Sequence, residues 1–165
     1  QERKAKILKN NSDKSLVLLK KRALYYLGKR EYSRVELNKK INSYATSLEI
    51  TNQDVKNLLD ELVEKNWQSD SRFTEQFIFS KKNKYGMRKV EHELKLRGID
   101  DSLISEGLKS IKSDEFLLAK KIWSKKYSQL PESIEEKTKQ IRFLQSRGIE
   151  LNLILKILSG KPTEI

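Results

Sequence analysis

The chain has 165 residues, enough to bury one sizeable core or several small ones. It carries 35 Lys and Arg against 23 Asp and Glu, and the net charge of +12 argues for a polyanionic partner or an acidic protein surface. The absence of cysteine excludes a disulfide framework, and no apolar run approaches the ~20 residues that cross a bilayer. We therefore expect a cytoplasmic protein without membrane contact. Because Gln1 is not methionine, we also expect further residues before it in the gene, or a leading segment that has been removed.

Apolar residues at helical spacing predict a three-helix unit over residues 14–67, after an N-terminal extension at residues 1–13. The first helix carries an apolar stripe that ends near Gly28: Leu16, Leu19, Ala23, Leu24 and Leu27. Ser33 with Glu36 is a capping box that predicts the start of the second helix, and Thr51 with Asp54 predicts the start of the third.

A second three-helix unit is predicted over residues 68–112. Ser69 or Asp70 caps its first helix, and its middle helix runs from Met87 towards Gly98, where a left-handed end needs no side chain. Asp100 is expected to cap the third helix.

A third unit follows over residues 113–160, before a short tail at residues 161–165. It begins at Ser113 or Asp114, and Leu117 belongs to the apolar stripe of its first helix. Pro131 suits the first turn of the middle helix, in which Ile134 is expected to face inward. The prediction is an all-α protein of nine helices in three helix-turn-helix-like bundles, arranged as an elongated array without a sheet.

The second and third units repeat each other at a spacing of 50 residues. The positions that match are Leu94, Arg97, Gly98, Ile99, Leu103, Ile104 and Leu108 with Leu144, Arg147, Gly148, Ile149, Leu153, Ile154 and Leu158. A fainter copy in the first unit, at a spacing of 49, contains Ile50 but lacks the glycine. Repetition of one supersecondary unit predicts an extended binding surface rather than an enclosed catalytic cavity.

Catalytic chemistry finds little support in the sequence. The one histidine, His92, lies between Glu91 and Glu93, and neighbouring helical positions do not share a face. The glycines are scattered singly, and acidic pairs such as Asp100-Asp101 stand at helix starts, where the helix dipole favours them. We predict no enzyme activity, no metal site and no cofactor.

Basic residues cluster where each first helix ends and each second helix begins. The predicted contact residues are Arg22, Arg30, Arg34, Lys81, Lys82, Arg88, Lys89, Lys125, Lys126, Lys139 and Arg142. Tyr32, Tyr85 and Tyr127 accompany these corners and could stack on bases. The alternatives are lysine-rich solvated helix faces or a surface for an acidic protein. Base-specific reading by a helix-turn-helix is disfavoured, because acids stand at the start of the predicted third helices.

Two tryptophans and two arginines remain to be assigned a role. Trp67 and Trp123 are expected to pack at the ends of units. Arg97 and Arg147 are either contact residues or partners of helix-end carbonyl groups.

Four segments carry more specific motifs. Residues 20–37 read KKRALYYLGKREYSRVEL, residues 66–73 NWQSDSRF, residues 84–99 KYGMRKVEHELKLRGI, and residues 137–149 KTKQIRFLQSRGI. Through these segments nearly the whole chain resembles the RecX family of bacterial recombination regulators. It departs from the family pattern at Gln68, Thr74 and Ile149, where leucine, alanine and phenylalanine are usual.

The resemblance implies a protein that lodges in the groove of the RecA nucleoprotein filament, binds RecA and touches DNA. The expected outcome is less filament growth, ATP hydrolysis, strand exchange and co-protease activity, within recombination, DNA repair and the SOS response. We expect a monomer whose partners are RecA and single-stranded DNA, with double-stranded DNA left open. The alternative from charge alone is a stand-alone, non-sequence-specific DNA-binding protein.

Overall fold

The computed structural model describes residues 2–160, and it describes the side chains of residues 12–109 and 111–160. Within these residues the chain forms nine α-helices and no strand, as predicted. They are α1 (Glu2–Leu27), α2 (Arg34–Ser47), α3 (Asn52–Glu64), α4 (Asp70–Lys81), α5 (Met87–Leu96), α6 (Asp101–Lys112), α7 (Glu115–Ser124), α8 (Ile134–Ser146) and α9 (Leu151–Leu158). None of these helices is both long and apolar enough to span a bilayer.

The helices group into two compact units, unit 1 (Gln1–Phe73) and unit 2 (Thr74–Ile165). Unit 1 is built on α1, α2 and α3, whose apolar stripes meet in one core around the fully buried Leu19, Leu37, Ile41 and Leu62. Unit 2 contains α5 to α9, and one of its cores joins α7, α8 and α9 around Leu144 and Ile154. The predicted boundaries after residues 67 and 112 stay predictions.

Side-chain caps start several helices where the sequence predicts them. The Ser33 hydroxyl accepts the Glu36 backbone N–H at 3.1 Å, and Thr51 accepts that of Asp54 at 3.1 Å. Ser69 does the same for Arg72 at 3.2 Å, which selects Ser69 over Asp70 as the cap of α4. Such a cap stabilises a helix by ~1 kcal/mol.

Two other predicted caps differ in detail. Asp100 and Asp114 do stand at the N-cap positions of α6 and α7, but neither side chain makes a capping hydrogen bond. These two helix starts therefore depend on the tertiary packing of their apolar faces more than on a local cap.

The start of α8 was predicted wrongly. Pro131 lies outside the helix, and Ser133 is the cap, because its hydroxyl accepts the Glu136 backbone N–H at 3.1 Å. The Glu136 carboxylate in turn accepts the Glu132 N–H at 2.9 Å. Ile134 is consequently the first helical residue and is 85% exposed instead of facing the core. Leu117 is also exposed, because it shares a helix face with the exposed Lys121.

The predicted left-handed helix ends are confirmed. Gly98 has φ 72° and Gly148 has φ 82°, a region in which glycine avoids the clash of a β-carbon. Glu49 takes the equivalent place in unit 1 with φ 55°, so the repeat keeps this backbone conformation even where the glycine is missing.

Backbone contacts within unit 2 join the start of α5 to the end of α8. The Gly86 N–H donates to the Arg147 carbonyl oxygen at 2.7 Å. A β-carbon on Gly86 would lie 2.5 Å from the Gly148 carbonyl oxygen, and one on Gly148 would lie 2.6 Å from the Lys89 backbone nitrogen. The second and third sequence repeats therefore meet backbone to backbone. This contact, which we call the glycine joint, positions the site described next.

Candidate functional site

Cations and aromatic rings alternate across the glycine joint in unit 2. We call this surface the cation–aromatic strip, and it consists of Lys81, Tyr85, Lys89, Lys126, Phe143 and Arg147. The first three residues flank the turn between α4 and α5. Of the other three, Lys126 follows the end of α7, Phe143 lies in α8 and Arg147 is the C-cap of α8, so the two halves of the strip come from different sequence repeats.

Local backbone geometry directs these side chains towards one another. The Tyr85 N–H donates to the Lys81 carbonyl oxygen at 3.0 Å, which folds the α4–α5 turn back on the end of α4. Gly86 follows directly, and its bond to Arg147 brings the end of α8 alongside this turn. Only a residue without a β-carbon fits there, so the strip depends on glycine at position 86.

The Tyr85 ring is surrounded by positive charge. The Lys89 Nζ lies 4.4 Å from its centroid, the Arg147 guanidinium carbon 5.6 Å and the Lys81 Nζ 5.9 Å. A cation within about 6 Å of a ring centroid is attracted by the negative face of the ring. Tyr85 therefore gathers cations from both sequence repeats around one half-buried ring.

Two cations also lie close to the ring of Phe143. The Lys126 Nζ lies 4.2 Å from its centroid and the Arg147 guanidinium carbon 5.2 Å. The Tyr127 ring meets Phe143 edge to face, with the centroids 5.6 Å apart. Arg147 is thus shared between Phe143 and Tyr85 and links the two rings.

The positive charge of the strip is not neutralised. Within the described part of the chain, none of the four strip cations forms an ion pair with a carboxylate. The nearby Arg88 behaves differently, because its Nε donates to Glu150 Oε1 at 2.9 Å. A ring leaves the N–H groups of its cation free to bind an anion, whereas a carboxylate occupies them. The strip consequently offers open donors.

One carboxyl group beside the glycine joint has an altered pKa. Burial, reinforced by the nearby Glu150 carboxylate, raises the pKa of Glu115 above its usual range. Glu115 lines the same small crevice as Gly86 and Lys82.

The predicted contact residues of unit 1 are mostly engaged within the protein. Arg34 Nη2 donates to Asp60 Oδ1 at 2.6 Å, and Arg30 forms an ion pair with Glu36 at 3.1 Å. Arg22 lies 5.3 Å from the Tyr44 ring centroid. Unit 1 therefore presents less open positive charge at these positions than the strip does.

The surroundings of Tyr32 argue against its predicted stacking role. Its side chain is 7% exposed and belongs to the core of unit 1. The Arg30 guanidinium carbon lies 3.6 Å from its centroid, and the Tyr26 ring packs against it edge to face. Tyr85 and Tyr127 are half-buried, but Tyr127 is packed against Phe143.

The remaining predicted cations of unit 2 have other surroundings. Lys82 lies 4.9 Å from the centroid of the exposed Phe79, and Lys125 Nζ donates to the Asn83 carbonyl oxygen at 3.3 Å. Lys139 and Arg142 are exposed on α8. The structure thus places Lys81, Lys89 and Lys126 in the strip, whereas the other predicted cations of unit 2 are not members of it: Lys82, Arg88, Lys125, Lys139 and Arg142.

Phe143 was not predicted as a site residue, and Arg147 was left open between two roles. The equivalent arginine of the second repeat, Arg97, donates to the Glu93 carbonyl oxygen at 2.8 Å and pairs with the Glu93 carboxylate. Arg147 instead lies on two rings. The signal for this contact in the sequence is the spacing of Phe143 and Arg147, which are four residues and so about one helical turn apart.

The tryptophans differ in their surroundings. Trp123 is 9% exposed and its Nε1–H donates to Gln140 Oε1 at 2.7 Å, so its packing role is confirmed. Trp67 is 43% exposed, with Lys65 at 5.0 Å and Lys20 at 5.5 Å from its ring. Its predicted packing role is therefore only partly realised.

Comparison with known proteins identifies the family. The model of the second three-helix domain of RecX matches residues 69–108, and that of the third matches residues 113–158. A regulatory protein RecX from Chromobacterium violaceum is 40% identical over 142 residues, which cover 86% of this chain and 90% of that protein. The chain belongs to the RecX family. Another regulatory protein RecX, from Neisseria meningitidis serogroup B, is 36% identical over 136 residues, which cover 82% of this chain and 86% of that protein.

Solved RecX structures share the fold. The crystal structure of RecX from Lactobacillus salivarius aligns with a TM-score of 0.74 at 19% identity, over 89% of this chain and 96% of that one. A second crystal structure of a regulatory protein RecX aligns with a TM-score of 0.74 at 20% identity, over 88% and 73% of the two chains. The all-helical architecture is thus that of the RecX family.

Proposed function

We propose that this chain regulates RecA, mainly as an inhibitor, by binding as a monomer in the groove of the RecA–DNA filament. Bound there, it limits filament growth, ATP hydrolysis, strand exchange and co-protease activity. The observation that carries this proposal is membership of the RecX family over most of the chain, with relatives that are named regulatory proteins. Regulation by binding, without a reaction of its own, agrees with a site made of cations and rings.

The cation–aromatic strip supports the choice of a polyanionic assembly as partner. Its four cations are open to an anion, and a nucleoprotein filament presents repeated negative charge along its length. Several weak contacts made together raise the effective concentration of each, so a small protein can bind a filament firmly.

A measurement of RecA ATP hydrolysis on single-stranded DNA tests the proposal. With this protein added well below one copy per RecA, we expect strong inhibition, because one bound copy affects many protomers of a filament. A Lys81→Ala, Lys89→Ala and Lys126→Ala variant should inhibit less. Its matched control replaces Lys56, Lys95 and Lys109, which pair with Asp60, Glu91 and Glu106, and should inhibit like the unaltered protein.

A stand-alone DNA-binding protein is the second candidate, favoured by the uncompensated charge of the strip. Such a protein would compete with RecA for the DNA lattice without touching RecA. Inhibition that appears only when the protein is abundant enough to coat the DNA would support this candidate and contradict the first.

A further inference from the structure

The rings of the cation–aromatic strip are occupied by the protein's own cations. Three positive groups lie within 6 Å of the Tyr85 centroid. Phe143 is approached by Lys126, Arg147 and the Tyr127 ring. A base that stacks on an aromatic side chain needs an open ring face. A base that stacks on Tyr85 or Tyr127, as the sequence predicts, would therefore have to displace the protein's own cations.

The charged groups nevertheless stay close enough to act together. Lys89 and Arg147 lie on the same ring, 4.4 and 5.6 Å from its centroid, and Lys126 and Arg147 lie 4.2 and 5.2 Å from the centroid of the other. Lys89 and Lys126 are thus each no more than about 10 Å from Arg147, a distance comparable to the Debye length of ~10 Å at 0.1 M salt. An anionic chain crossing the glycine joint would meet these charges as one field.

The chemistry of the strip favours phosphates over the carboxylates of a protein partner. Three of its four cations are lysines, which are depleted in the buried centres of protein interfaces. A lysine acts as a compact point charge with three donors, a form of charge that suits phosphate oxygens. The rings beneath hold the lysine and arginine side chains in place, and these cations compete with a base for the ring.

We propose that the cation–aromatic strip binds the sugar–phosphate backbone of single-stranded nucleic acid without stacking on its bases. Tyr85 and Phe143 position the cations, and Arg147 joins the cations of the second sequence repeat to those of the third. Recognition is then independent of base identity and sensitive to salt. This proposal specifies how the DNA contact of the proposed function is made, and it does not require RecA.

Binding of the full chain to two labelled 25-nucleotide probes tests the proposal in the absence of RecA. One probe is oligo-dT, and the other has the same backbone with abasic sites in place of every base. Fluorescence anisotropy should give dissociation constants for the two probes within about 3-fold of each other. Base stacking would instead weaken the abasic probe at least ~5-fold for each stacked base.

Variants locate the contact on the strip. Lys89→Ala with Lys126→Ala should reduce the slope of the logarithm of affinity against the logarithm of salt concentration by ~1.4 in magnitude, since each lost phosphate contact removes ~0.7. The loss of affinity caused by the two substitutions should therefore be ~25-fold greater at 0.1 M salt than at 1 M. Lys95→Ala with Lys109→Ala removes the same charge from ion-paired positions of unit 2 and should change binding less than 3-fold. Phe143→Leu should weaken both probes by the same factor, because it releases Lys126 and Arg147 without removing a base contact.

Three results would overturn the proposal: a preference of 5-fold or more for oligo-dT, equal losses in the strip variant and its control, or no binding of either probe. None of these results decides the RecA proposal, because RecA is absent. Conversely, a protein that binds both probes equally but leaves RecA ATP hydrolysis unchanged would overturn only the RecA proposal.

Discussion

Replacing Gly86 by alanine should destabilise unit 2, because a β-carbon at this position has no room. It would lie 2.5 Å from the Gly148 carbonyl oxygen, 2.8 Å from its carbon and 2.9 Å from Ile149 Cγ1. Two of these neighbours are backbone atoms, so relief requires the end of α8 to move away from α5. Overpacking of this kind costs ~1–3 kcal/mol. Loss of the 2.7 Å hydrogen bond from Gly86 to Arg147 adds ~0.5–1.5 kcal/mol.

We therefore expect the free energy of unfolding of unit 2 to fall by ~1.5–4.5 kcal/mol, a large part of the ~5–15 kcal/mol typical of a domain. Urea unfolding followed by the fluorescence of Trp123, in a Trp67→Phe background, would measure it, because Trp123 is buried in unit 2.

Gly28→Ala is the control, and because Gly28 lies in unit 1 its unfolding is followed by the fluorescence of Trp67 in a Trp123→Phe background. A β-carbon at Gly28 would lie 3.4 Å from its nearest neighbour, an ordinary contact, and the substitution should be neutral or stabilise by ~0.4–1 kcal/mol. Equal unfolding midpoints for Gly86→Ala and the unaltered protein would refute the account of the glycine joint.

Two further predictions concern unit 1. Hydrogen bonds from Lys20 and Lys65 lower the pKa of Glu61 from 4.5 to about 2, so the carboxylate contributes stability that is present above pH 4.5 and lost as the pH falls towards 2. The stability difference between the unaltered protein and Glu61→Gln, measured by urea unfolding from pH 2 to pH 7, should shrink across this window; a difference that persists at pH 2 would contradict the assignment. Glu49→Gly should stabilise unit 1 by ~0.5–1 kcal/mol in thermal unfolding, since φ at Glu49 is 55°. Asn66→Gly, at φ 56°, should gain less because asparagine tolerates this region and Asn66 accepts a hydrogen bond from Arg72 at 2.8 Å; a Glu49→Gly variant no more stable than the unaltered protein would show that the conformation at Glu49 carries no strain.

Local signals predicted much of the fold. The capping boxes at Ser33 and Thr51 and the left-handed glycines at 98 and 148 each depend on residues a few positions apart, so the sequence displays them directly. At α8 the S-x-x-E pattern beginning at Ser133 is a stronger start signal than Pro131, because the Ser133 hydroxyl caps the helix.

The glycine joint is a different kind of feature. Gly86 and Arg147 are 61 positions apart, and the sequence around either residue does not predict that the two are in contact. The sequence repeat also suggests that each three-helix copy is self-contained, whereas the second and third copies share a backbone hydrogen bond. Contacts of this range are set by tertiary packing, and local pattern does not report them.

The sequence predicts which types of residue form the candidate site, but it does not predict their burial or their ion pairs. The sequence shows where lysines and tyrosines cluster, and Lys81, Lys89, Lys126 and Tyr85 do lie in the strip. It does not show which cations are neutralised, because the partners are distant: Asp60 for Arg34 and Glu150 for Arg88. Nor does it show that Tyr32 is buried. Charge counts therefore overestimate the open positive surface of unit 1.

The glycine joint also bears on how this protein could be re-engineered. Chimeras that exchange a single three-helix copy between relatives would pair a Gly86 turn with a foreign α8 end, and any mismatch there would fall on backbone atoms that cannot repack. Exchanging residues 68–160 as one block keeps both partners together and leaves α4 whole. The smallest interchangeable part of this half of the molecule is accordingly the pair of copies, twice the length of the repeat that its sequence displays.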